Sequence, residues 1–138
     1  MWLDDHALST IWVGVATLAV VILVASVVPV PDATPQTDPT GSVETTTLLH
    51  VAGYATLSAG GVIAVARESW PWRRRSRRVG IRAVADVIAL VVLFGVGTEL
   101  LQATIPWRTF AVTEMGLNAA SAAVGGLLAT MWFYRPIE

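Results

Sequence analysis

The chain has 138 residues, 54% hydrophobic and 14% charged, with a formal net charge of −1 and a mean hydropathy of +0.63. Soluble domains are about 25% charged, so this composition points to a membrane protein. There is no cysteine, which excludes a disulfide framework and a thiolate metal centre.

The first predicted element covers residues 7–30 and contains the run ATLAVVILVASVVPV. It exceeds the ~20 apolar residues needed to cross a ~30 Å hydrocarbon layer. A cleaved signal peptide would need a basic segment ahead of it. Met1–His6 carries Asp4 and Asp5 and no basic residue, which favours a retained span. The segment PVPDATPQTDPTG, Pro29–Gly41, has four prolines and reads as an extended connection.

Residues 45–66 carry no formal charge and give the second span. Arg67, Arg73, Arg74, Arg75, Arg77, Arg78 and Arg82 then cluster around the connection to the third span, at residues 81–101. Asp32–Glu44 holds three acidic groups and no basic one, and Gln102–Glu114 holds Arg108 as its one basic residue. The positive-inside rule places the arginine cluster in the cytoplasm, with both termini on the same side. Between two membrane spans, such a cluster reads as a topology signal, not as a nucleic-acid patch. Trp70, Trp72 and Trp132 fall at the same interface and Trp107 at the opposite one. Within the third span, Arg82 and Asp86 stand at i, i+4, the spacing of an ion pair.

Residues 115–134 form the fourth span, rich in Ala and Gly. Asn118, Ser121, Ala122, Gly125 and Gly126 give it a small-residue face that permits close helix packing, with Gly95 and Gly97 of the third span as the expected receivers. The expected fold is an all-α, antiparallel bundle of four transmembrane helices in one domain, with both termini cytoplasmic.

Ionisable groups cost roughly 2.5–3.5 kcal/mol each at a helix centre, so they face a partner or a cavity. Three same-face pairs occur at helical spacing: His50 with Tyr54, Glu99 with Gln102, and Glu114 with Asn118. The topology brings all three to the outer leaflet, together with Arg108 in the loop after Pro106. The seven groups are expected to line one binding pocket.

The stretch Glu99–Gly126 resembles the signature of VanZ-like membrane proteins. It has Glu–x–x–Gln at a helix end, Pro–x–Arg in a loop, an acidic residue and an Asn four apart, and then a Gly-rich helix. His50 and Tyr54 match the family's upstream His–x–x–x–Tyr. Glu114 stands where the family usually has Asp, and Thr45–Thr46–Thr47 where it often has an Asp–Lys pair. The resemblance implies a small integral membrane protein, associated in some bacteria with low-level resistance to the glycopeptide teicoplanin. It implies no defined reaction.

The residues admit several functions. In the first, the pocket binds a lipid headgroup or cell-envelope precursor, with Arg108 gripping a phosphate or carboxylate. In the second, a membrane-surface enzyme uses a carboxylate as acid or base, although no nucleophile motif is present. The third is an assembly component working with a second copy or another membrane protein, and the fourth a structural protein in which Arg108 pins Glu99 or Glu114. No cofactor motif is found. With no second histidine near His50, a metal site is not expected.

Overall fold

The computed structural model describes residues 3–29, 45–67, 80–108 and 112–133. The proline-rich segment beyond Pro29, Trp70, Trp72, Tyr134 and the arginines between 73 and 78 lie outside them. Four helices are present: α1 (Leu3–Val27), α2 (Thr45–Arg67), α3 (Ile81–Gln102) and α4 (Val112–Phe133). Three of them, α1, α2 and α3, are long and apolar enough to cross a membrane. The fourth is 22 residues long, about 33 Å at helical rise.

The buried positions of α3 are Val84, Val87, Val91, Gly95, Thr98, Glu99 and Gln102. They recur at the three- and four-residue spacing of one helix face, apolar in the first half and polar at the end. Val84 and Val87 join Val62 and Ala129 in one core cluster, and Val91 joins Tyr54, Leu57 and Ala122 in a second. α1 lies on this second cluster through Val15, Leu18, Ala19 and Ile22. Among its described side chains only Ser26 is buried.

Residues without side chains set the closest approaches. Gly53 faces Ile22 and Gly60 faces Val15, so chain order runs in opposite senses along α1 and α2. A Cβ on Gly61 would stand 2.8 Å from Val87 of α3. Gly125 meets the main chain of Ala55, and Gly126 would meet Ile88 and Ser58. The small face of α4 is therefore received mainly by α2, and not by the two α3 glycines expected from the sequence. Gly95 does lie against Asn118 and Tyr54, but Gly97 has nothing within 4 Å of its Cβ position.

The first helix stops at Val27, ahead of Pro29. A proline cannot donate the hydrogen bond that the Ala25 carbonyl would otherwise receive. At the far end of α3, Arg108 N–H donates to the Ile105 carbonyl at 3.1 Å, closing a turn with Pro106 in its second position, where the fixed proline φ suits the backbone. The turn directs Trp107 and Arg108 back toward α1. Arg82 and Asp86 are both exposed and, among the described residues, share no ion pair.

Candidate functional site

The seven expected site residues separate into two groups. Gln102 and Arg108 engage the end of α1. Gln102 Nε2 donates to the Ser26 carbonyl at 3.0 Å, and Arg108 Nη2 donates to the carbonyls of Ala25 and Val28, each at 2.7 Å. Trp107 Nε1 adds a bond to the Val27 carbonyl at 3.3 Å. A helix leaves its last four carbonyls without intrahelical donors, and here three side chains from one short segment serve four consecutive carbonyls. The arginine charge also sits at the negative end of the helix dipole.

The second group contains His50, Tyr54, Glu99, Glu114 and Asn118. Glu99 is 1% exposed and Asn118 2% exposed, although both are polar. Asn118 Nδ2 donates to Glu99 Oε1 at 3.3 Å. His50 Nδ1 is 3.7 Å from Glu114 Oε2, with those side chains 24% and 32% exposed. One possible ligand atom from each of His50, Glu99 and Glu114 lies within 4.8 Å of the other two. Glu114 falls in the first turn of α4, where the helix dipole favours an anion. The arrangement has a buried floor of Glu99 and Asn118 and a partly exposed rim of His50 and Glu114.

Tyr54 supports this floor from the side. Its ring meets His50 edge to face, with centroids 6.3 Å apart, and packs against Phe94 at 6.2 Å. Its hydroxyl is 2.7 Å from Thr98 Oγ1. Thr98 gives its own proton to the Gly95 carbonyl at 2.8 Å, so the Tyr54 hydroxyl is the donor. Both hydroxyls are thereby satisfied beside Glu99.

Sequence reasoning did not single out Thr98 and Ser26. Thr98 carried one signal, its place between Gly95 and Glu99 on the buried face of α3. The Ser26 hydroxyl bonds back to the Ile22 carbonyl at 2.8 Å, and its role lies in the carbonyl offered to Gln102, which no side-chain pattern reveals.

The chain thus falls in the class of helical proteins with membrane-length apolar helices, carrying a polar cluster at one end of its core. Comparison with protein-family models, curated proteins and solved structures finds no match.

Proposed function

We propose that this chain is a VanZ-like integral membrane protein that binds the polar headgroup of a lipid or cell-envelope precursor at its outer surface. In this reading all four helices span the membrane as an antiparallel bundle. The arginine cluster and both termini lie in the cytoplasm, as the positive-inside rule requires. The ends of α2, α3 and α4 that carry His50, Glu99, Glu114 and Asn118 then face outward.

One observation carries the proposal: a buried carboxylate and a buried amide, Glu99 and Asn118, stand behind a partly exposed His50 and Glu114. A structural core would place apolar side chains there at lower cost, because buried charge is expensive even when paired. Arg108 and Gln102 take a structural role in this reading, since their side chains, among the described residues, donate to α1 carbonyls. Recognition falls to the other five residues.

Native mass spectrometry of the protein released gently from its own membranes tests this. Wild type is expected to retain a defined lipid or envelope precursor, and Glu99→Gln and Glu114→Gln to lose it. Arg108→Ala should retain it. Bare protein in every sample would overturn the proposal.

A further inference from the structure

Two carboxylates and an imidazole offer ligand atoms within 4.8 Å of one another, drawn from three helices. Such a group attracts positive charge. The residues around it restrict what form that charge takes. Asn118 is 98% buried by its 2% exposure, and its amide abuts Glu99 through Nδ2, yet its other end, Oδ1, is buried with no hydrogen-bond partner. His50 Nδ1 is likewise buried with no hydrogen bond, 3.7 Å from a Glu114 oxygen. A buried amide oxygen without a donor costs about 1–3 kcal/mol. It is the kind of group that a bound cation satisfies.

We propose that His50, Glu99 and Glu114 bind one divalent transition-metal ion, zinc by preference, with Asn118 Oδ1 as a further oxygen ligand. The inference rests on the reading above that this cluster is a binding site. Charge supports it: two carboxylates and a neutral imidazole around a 2+ ion sum to zero, the net charge that an apolar bundle accepts at lowest cost. Donor type supports it too. A mixed imidazole–carboxylate set suits zinc and its neighbours, whereas magnesium and calcium take oxygen. With bonds of about 2.0–2.2 Å, two ligands of a tetrahedral zinc stand roughly 3.3–3.6 Å apart. The His50–Glu114 separation of 3.7 Å is close to that. Glu114, on the partly exposed rim, can shorten its own separations by rotation about its side-chain bonds.

The metal also supplies what Arg108 does not. The Arg108 Nη2 is engaged by two α1 carbonyls, so the positive charge that would hold a headgroup phosphate or carboxylate comes from the ion. Any open coordination position lies on the side of His50 and Glu114, where the cluster meets the surface.

The test uses full-length protein in detergent, stripped with a chelator and titrated with zinc chloride alone. Wild type is expected to take up one equivalent and to rise in melting temperature as it does so, with magnesium chloride giving no such rise. His50→Ala and Glu114→Gln should each weaken zinc binding by more than the ~10–100-fold that loss of an outer-shell partner causes. No stoichiometric uptake by wild type, or equal affinity in wild type and both variants, would overturn the inference. So would an equal response to magnesium. The wild-type melting shift decides the question even if a variant folds poorly. Zinc bound without a retained headgroup would sink the headgroup reading alone, and a headgroup retained without zinc would sink this one alone.

Discussion

Gly125 of α4 packs directly on the main-chain carbonyl of Ala55 in α2. A Cβ at Gly125 would overlap that oxygen and stand 2.6 Å from the Ala55 carbonyl carbon. Both are backbone atoms, so no rotamer change relieves the contact. Gly125→Ala should therefore destabilise the protein by about 1–3 kcal/mol, the range for overpacking. Gly116→Ala is the matched control on the same helix, with nothing within 4 Å of its Cβ position. It should be neutral or gain up to about 1 kcal/mol from helix propensity. Thermal unfolding in detergent compares the two.

The donor order at Tyr54 predicts an asymmetry between two substitutions. Tyr54→Phe removes a donor and leaves Thr98 still bonded to the Gly95 carbonyl, at a cost of about 0.5–1.5 kcal/mol. Thr98→Val strands the buried Tyr54 hydroxyl and should cost more, about 1–3 kcal/mol. Equal melting temperatures for the two variants would contradict the assigned donor.

Arg108→Ala should loosen the end of α1 more than any other helix. The bonds lost are to Ala25 and Val28, and a charged donor in a half-exposed place is worth about 1 kcal/mol. Hydrogen exchange read by mass spectrometry should show faster exchange near the end of α1 and unchanged protection in α2 and α4. Uniform loss of protection would argue against a local role.

Orientation is open to a labelling experiment because the chain has no native cysteine. In intact cells a membrane-impermeant maleimide should modify Thr104→Cys, in the connection between α3 and α4. Ser76→Cys, within the arginine cluster, should react only after permeabilisation. The opposite pattern would reverse the proposed topology.

Much of the helical layout is legible from hydropathy. Spans expected at 45–66, 81–101 and 115–134 correspond to α2 at Thr45–Arg67, α3 at Ile81–Gln102 and α4 at Val112–Phe133. The first helix ends three residues earlier than the expected 30, because Pro29 stops it. Periodicity also put Glu99 with Gln102, and Glu114 with Asn118, on single helix faces. Which partner each face meets is not a periodic property. Gln102 and Arg108 reach carbonyls 76 to 83 residues earlier in the chain, and a main-chain acceptor leaves no mark in the sequence. The same limit hid the α2–α4 seam. Gly125 and Gly126 announce a close approach, but Ala55 on the facing helix looks like any other alanine.

The clasp on α1 has a consequence for the order of synthesis. The carbonyls of Ala25, Ser26, Val27 and Val28 are made early, whereas their donors Gln102, Trp107 and Arg108 emerge about three-quarters of the way along the chain. Until then the end of α1 has only its own backbone and Ser26 to hold its shape. A chain that stops before the Ile105–Arg108 turn keeps every apolar contact of α1 with α2 yet holds, of the three donors to its end, at most Gln102. The first helix to be made is thus among the last to be secured.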